Sequence, residues 1–345
     1  MTLNFAQRLI CWQKRHGRHD LPWQGADAYR VWLSEIMLQQ TQVSTVIPYY
    51  QRFIATFPTI ASLAAATEEQ VLSRWSGLGY YARGRNLHRA AQIIVEKHQG
   101  EFPRRFEQIL GLPGIGRSTA AAICSLAYNE QRAILDGNVK RVLARYRGIA
   151  GSPSDKAVES RLWQQAEALL PQRDIASYIQ AQMDLGAMLC TRSKPKCNIC
   201  PVSSDCVAYR SGRVNELPTP RSRKPVPEIS ATFLLLVHGE DILLQKRPGS
   251  GIWGGLWSLP QFDDEAAAKN WFMQNGMSAS HGEMLATFTH TFTHFKLRIN
   301  PLQIQLPSKP LIAAQPGSVW LGIEEALSAA IPAPVRSMLK DLRRG

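Results

Sequence analysis

The sequence predicts two domains, an all-α one followed by an α+β one, and three observations carry that reading. At 345 residues the chain exceeds one ordinary domain and is long enough for each of two to bury its own core. From about residue 3 to 210, Ala, Leu, Gln and Arg recur at helical spacing with Gly or Pro between runs, whereas past 230 the apolar runs are short or alternate. Between them lies a stretch rich in proline and arginine. The predicted boundaries are 1–212, a connector over 213–229, and 230–345.

Taken in order, the N-terminus lacks the basic-then-apolar pattern of a secretory signal, so a cytoplasmic protein is expected. Tyr29 to Phe53 reads as one long helical segment, with Trp32, Ile36, Val43 and Ile47 as an apolar stripe and Glu35, Gln39 and Gln42 as a polar ridge. A glutamate on such a ridge is by default solvated. Leu112 to Ala120, reading L-P-G-x-G-x-x-T-A, joins a helix ending near Leu110 to an Ala-rich one. Gly114 and Gly116 let backbone approach a ligand closely, and the helix start behind them offers free N–H groups to a phosphate. An ordinary αα turn is the plainer alternative. Asp136, in Leu135-Asp136-Gly137-Asn138-Val139-Lys140-Arg141, precedes a helix and by default caps it.

Cys190, Cys197, Cys200 and Cys206 follow the pattern C-x6-C-x2-C-x5-C, four thiols near enough in sequence to wrap one centre. The remaining two, Cys11 and Cys124, stand alone, so a disulfide framework is not indicated. Spacing leaves both an iron-sulfur cluster and structural zinc open, although zinc usually brings two C-x2-C knuckles and only one is present. Arg192, Lys194 and Lys196 lie in the same loop. Beyond it, Pro218, Pro220, Pro225 and Pro227 among Arg213, Arg221, Arg223 and Lys224 suit an extended basic connector. Then Ala231 to Val237 and Asp241 to Gln245 read as strands around a His238-Gly239-Glu240 turn, and Thr287 to Arg298 alternates like a half-buried strand.

Lys and Arg number 40 against 27 Asp and Glu, a formal charge of +13 that favours a polyanionic partner. No apolar run approaches the roughly 20 residues that span a bilayer, and no strongly basic amphipathic helix is evident, so nucleic acid is preferred to membrane.

Together the segment Trp32-Leu33-Ser34-Glu35-Ile36-Met37-Leu38-Gln39-Gln40-Thr41-Gln42, the hairpin, Leu135 to Arg141 and the cysteine quartet resemble the MutY-type adenine DNA glycosylases. These belong to the helix-hairpin-helix/endonuclease III superfamily, and the likeness runs through nearly the whole chain. It implies a six-helix barrel module over about 28–132, and an iron-sulfur module from 1–27 and 133–212 that carries a 4Fe-4S cluster on the four cysteines. It further implies monofunctional removal of adenine mispaired with 8-oxoguanine or guanine in double-stranded DNA. Glu35 would be the general acid and Asp136 the stabiliser of an oxocarbenium-like sugar. Where endonuclease III places a Schiff-base lysine, this chain has Ser118, so strand nicking through an imine is not expected. Gln40, Leu78 and Tyr80 match positions that fill the gap left by an extruded base, and Gly114, Gly116, Ser118 and Asn138 match DNA-contacting positions. The rival readings are a bifunctional glycosylase/lyase and a non-catalytic DNA-binding protein. A monomer is expected, with the connector available to other repair proteins.

Leu243 to Pro248 followed by Gly251-Ile252-Trp253-Gly254-Gly255-Leu256-Trp257 is similar to the Nudix fold. Its hydrolases need a Glu-rich helix of the form R-E-x-x-E-E to hold Mg²⁺, whereas this chain continues Asp263-Asp264-Glu265-Ala-Ala-Ala-Lys. A Nudix-like domain that reads 8-oxoguanine without hydrolysing is therefore implied, with Phe292, Thr293 and His294 at the family's Phe-Ser-His loop. Threonine keeps the hydroxyl and adds a methyl.

Overall fold

The computed structural model of the protein describes residues 3–220, 225–275, 277, 282–310 and 317–343. The chain forms two compact units, Met1–Ala65 with Arg89–Arg223, and Ala66–His88 with Lys224–Gly345. Chain order assigned 66–88 to the barrel module. By contact it groups with the C-terminal residues, because Ser76 donates to the Ile331 carbonyl and Lys246 and Trp257 both donate to Glu69.

The helices run in order α1 (Phe5–His16), α2 (Ala28–Leu38), α3 (Val43–Thr56), α4 (Ile60–Ala65), α5 (Glu68–Trp75), α6 (Ala82–His98), α7 (Phe106–Leu110), α8 (Arg117–Tyr128), α9 (Gly137–Tyr146), α10 (Lys156–Ala168), α11 (Ile175–Asp184) and α12 (Val207–Arg210). Local chemistry starts them: Asn4 and Gln7 form a reciprocal cap on α1, as Thr67 and Gln70 do on α5. The first unit's core joins Phe5, Leu9 and Ile10 of α1 to Val139, Val142 and Leu143 of α9 and to Tyr178 and Ile179 of α11. At the end of α11, fully buried Asp184 accepts from the Arg18 side chain at 2.7 Å and from Gln180 at 2.9 Å, so the buried charge is both paired and hydrogen-bonded.

The long helix expected over Tyr29 to Phe53 is two helices. Gln39 leaves the helical region and Gln40 takes φ +58°, which no α-helix continues through, and Gln42 starts α3 afresh. The break rotates the buried stripe, so that in α3 it is Val46, Tyr50 and Phe53 that are buried, not Val43 and Ile47. Of the isolated cysteines, Cys124 is buried and Cys11 is exposed.

The second unit carries a mixed sheet of β1 (Glu228–His238), β2 (Asp241–Lys246), β3 (Trp257–Ser258), β4 (Gln261–Phe262), β5 (Gly282–Met284), β6 (Phe288–Thr291), β7 (Lys296–Gln305) and β8 (Ser318–Gly322), followed by α14 (Ile323–Ser328) and α15 (Ala333–Leu342); α13 (Glu265–Gln274) lies between β4 and β5. Its main path is β3-β2-β1-β7-β5, with β1 parallel to β7 and antiparallel to β2 across the expected turn. Leu234, Leu236, Leu243, Leu302 and Ile304 form a core with Ala268 and Phe272 of α13. The alternating run Thr287 to Arg298 is not one strand. It breaks into antiparallel β6 and β7, and Phe292 donates its N–H to the Phe295 carbonyl to close the turn between them.

The connector is not extended at its start. The Leu217 carbonyl accepts from Arg145 Nε at 2.8 Å and Thr219 Oγ1 accepts from the Gly151 N–H at 3.0 Å, while Leu217 itself is buried. Arg221, Arg223 and Lys224 lie outside the described residues. Among the described residues no helix is long and apolar enough to cross a membrane.

Candidate active site

Glu35 sits one turn from the end of α2, and Asp136 is the N-cap of α9. The default reading of Asp136 and its functional one coexist. Its Oδ1 accepts from the Val139 N–H at 2.7 Å, and its Oδ2 from the Asn138 side chain at 3.4 Å. Burial raises the Asp136 carboxyl above its ordinary range, while those donors and the charge of Arg141 pull the other way. Burial, and then the nearby Asp136 charge, raises Glu35 to about 8. The fold thus brings together two carboxyls from stretches a hundred residues apart and gives them different settings. Donors surround Asp136 and suit an anion; desolvation and a neighbouring anion favour a proton on Glu35.

Ser118, on the first turn of α8, accepts the Leu135 N–H at 2.9 Å and so fixes the backbone one residue before Asp136. Gly114 adopts φ +79°, a conformation that costs a Cβ-bearing residue strain. Gly116 is the N-cap of α8, supplies no side chain to its first N–H groups, and has open space where a Cβ would point. The start of α8 thus carries no side-chain cap. Gln39 reaches from α2 toward the Gly114 carbonyl at 3.5 Å and Thr119 at 3.4 Å, tying the helix that carries Glu35 to the hairpin.

Along α9 stand two cations, Arg141 of the Leu135–Arg141 motif and Arg145, to which the sequence assigned no role. Arg141 donates to Asn138 Oδ1, the Gly186 carbonyl and the Cys190 carbonyl at 2.7–2.8 Å. Arg145, 3% exposed, donates to the Thr191 and Arg192 carbonyls and lies 3.4 Å from Cys190 Sγ. Their four-residue spacing on a helix with a buried face was the available signal. Cys190, Cys197, Cys200 and Cys206 line one cavity together with Arg145, Leu189 and Lys196. Among the described residues no three potential ligands converge on a single-ion position. Burial pushes the Cys200 thiol up to about 11 and raises Cys197 and Cys206, with the neighbouring sulfurs adding to it.

In the second unit Tyr80 is 43% exposed at φ +49°, while Leu78 is 5% exposed and packs inward, so of these two it is Tyr80 that the surface presents. Gln40, in the first unit, is exposed at the α2–α3 break. At the β6–β7 turn Phe292 stacks on buried Phe295 with ring centroids 4.4 Å apart and also packs on Trp253. Thr293 and His294 are exposed, with Thr293 Oγ1 3.3 Å from His294 Nδ1.

Comparison with known proteins follows the same division. Residues 33–168 match the HhH-GPD superfamily base excision DNA repair proteins and residues 231–341 match the NUDIX domain. The adenine DNA glycosylase of Buchnera aphidicola subsp. Acyrthosiphon pisum is 40% identical over 342 residues, covering 99% of this chain and 98% of that one. The mouse enzyme of the same name is 34% identical, covering 99% and 79%. Among solved structures, a thermostable thymine-DNA glycosylase superposes with TM-score 0.55 at 28% identity, over 60% of this chain and 95% of its own. An endonuclease III bound to DNA does so with TM-score 0.51 at 20% identity, over 61% and 99%, and shares the fold.

Proposed function

Since the chain belongs to the adenine DNA glycosylase family and is thus a base excision repair glycosylase, we propose that it hydrolyses the N-glycosidic bond of adenine opposite 8-oxoguanine or guanine, with Glu35 as general acid and Asp136 as electrostatic stabiliser. One observation carries the assignment: Glu35 of α2 and Asp136 at the start of α9 lie close enough for their charges to interact, with burial favouring a proton on the first and hydrogen bonds favouring charge on the second.

Adenine departs poorly as an anion. A proton delivered from Glu35 to a ring nitrogen, N7 by family analogy, makes it a neutral leaving group, help worth about 10² to 10⁴ in rate. As the bond lengthens the sugar gains positive charge, which the half-buried, hydrogen-bonded Asp136 carboxylate stabilises. Once adenine leaves, Glu35 is an anion and can take a proton from the attacking water. Ser118 supports hydrolysis over lyase chemistry. It presents a hydroxyl, not an amine, and that hydroxyl is engaged by the Leu135 N–H.

Double-stranded DNA fits the +13 charge and the uncapped start of α8, which meets phosphate. Within the second unit Tyr80 is exposed on a loop anchored by buried Leu78 and suits insertion into an unstacked duplex, and within the first unit Gln40 is exposed. Thr293 and His294, held up by Phe292, are exposed polar groups suited to the oxidised guanine. The four cysteines fit a 4Fe-4S cluster better than zinc. All four line one cavity, and C-x6-C-x2-C-x5-C has a single C-x2-C knuckle where structural zinc usually brings two. That group would brace the loop carrying Arg192, Lys194 and Lys196.

The test is Glu35→Gln. It retains tight binding to a duplex with adenine opposite 8-oxoguanine while single-turnover base release collapses; near-parental release removes Glu35 from the mechanism. Borohydride trapping of a covalent DNA adduct would replace the hydrolase reading with the lyase one.

A further inference from the structure

Three of the four residues Gly77–Tyr80 have positive φ: Gly77 at +98°, Gly79 at +77° and Tyr80 at +49°. A tyrosine in the left-handed region is strained, and such a conformation persists only where surrounding groups over-determine it. Here the surrounding groups converge on backbone. Trp75 Nε1 donates to the Gly79 carbonyl at 3.1 Å, the Leu78 N–H donates to the Trp75 carbonyl at 3.0 Å, and the Gly77 N–H donates to the Tyr81 hydroxyl at 3.3 Å. Arg83, only 8% exposed, adds Nη2 contacts to the carbonyls of Leu78 at 3.4 Å and Gly79 at 3.2 Å. Its guanidinium also lies over the rings of Trp75, 5.5 Å from the centroid, and Tyr80, 5.3 Å.

We infer that Arg83 is a positioning residue, a buried cation that fixes the Leu78–Tyr80 backbone so that the exposed Tyr80 ring stands ready to enter the duplex as the target base leaves. No other residue type present supplies this combination. Its Nη2 reaches two successive carbonyls, and the guanidinium lies over the ring it positions. Burial lowers the guanidinium to about 10, so it remains charged at neutral pH. A wedge held in place before binding avoids an ordering cost at the moment of extrusion. This inference rests on the reading of Tyr80 as the group that fills the vacated space.

The experiment uses the full chain and a duplex with 2-aminopurine opposite 8-oxoguanine, whose fluorescence rises on unstacking. Arg83→Met and Tyr80→Ala each slow that rise by about tenfold, and Arg83→Lys restores part of it. On a duplex in which the target sits in a flexible three-nucleotide bulge, where unstacking is cheap, Arg83→Met returns to within about twofold of the parent. Equal loss on both duplexes means a structural role only and overturns the inference. So does a slow Tyr80→Ala beside a normal Arg83→Met, which leaves the wedge reading intact. If Tyr80→Ala is itself normal, the wedge reading falls and this inference with it.

Discussion

The half-buried carboxyl pair Glu35 and Asp136 and the turn carrying Phe292 to His294 are built on opposite plans. In the first, ionisable groups are drawn in from solvent: burial raises both carboxyls, and side-chain and backbone donors then decide which of them keeps charge. In the second, the polar groups stay exposed and what is buried is the aromatic support, Phe295 under Phe292 and Trp253 beside it. Bond cleavage needs electrostatics that water does not dilute, so its residues must be costly to bury. Recognition needs polar groups that a ligand can reach, so its residues stay exposed and are held by their stem.

The contrast breaks most visibly at Glu35. Glu35→Gln is expected to reduce single-turnover base release by about 10² to 10⁴ with little change in binding. Release by the parent protein should fall as pH rises through about 8, where Glu35 loses its proton, and again toward acid where Asp136 gains one. In Glu35→Gln the alkaline limb disappears. The sign for stability follows. The folded chain keeps a proton on Glu35 that the unfolded chain sheds near its ordinary range, so stability declines with pH from there to about 8. Glu35→Gln should therefore melt higher than the parent at pH 7.5, by about 1 kcal/mol or more, with the gap closing at pH 4. A variant less stable at pH 7.5 would mean the glutamate is not buried at a cost.

Asp136→Asn is expected to cost less in rate, about 10² to 10³, because the amide still caps α9 through its oxygen but carries no charge for the sugar to meet. Circular dichroism should be unchanged. If Asp136→Ala and Asp136→Asn lose release equally and both melt early, the residue is a cap and nothing more.

How much of this could be read beforehand follows the same physical divide. The domain classes, α8, α9 and the β1–β2 hairpin were legible because periodicity and turn residues are local signals. The break at Gln40 was not, since glutamine is an ordinary helix former and only tertiary ties, such as Gln39 to the hairpin, favour leaving the helix there. Glu35 and Asp136 each had an unremarkable default role, and Asp136 indeed fills it. What sets them apart is mutual proximity, which no local pattern encodes. The roles of Arg83, Arg141 and Arg145 were hard to read for a related reason. An arginine in a basic chain reads as surface charge until its carbonyl partners are known.

At the recognition turn the effects should be smaller and of another kind. His294→Ala is expected to lower the preference for adenine opposite 8-oxoguanine over adenine opposite guanine by about tenfold, the worth of one or two hydrogen bonds, while the limiting rate on a saturating 8-oxoguanine duplex stays near the parent value. Thr293→Val, which keeps shape and removes the hydroxyl, should give a lesser loss. A fall in the limiting rate without a change in preference would move these residues from reading the lesion to supporting the fold.

The smallest effect is expected at the hairpin, whose proposed role is to meet phosphate. Gly114→Ala forces a Cβ into a backbone at φ +79°, a strain of about 1 kcal/mol that the turn relieves by relaxing away from its phosphate-facing geometry. Duplex affinity at fixed salt should therefore drop only severalfold. Phosphate contacts carry no sequence information, so the drop must be the same for adenine opposite 8-oxoguanine, adenine opposite guanine and a fully paired duplex. A loss confined to the mispaired duplexes would instead tie the hairpin to base extrusion, and the division between docking, reading and cleaving residues would have to be redrawn around α8.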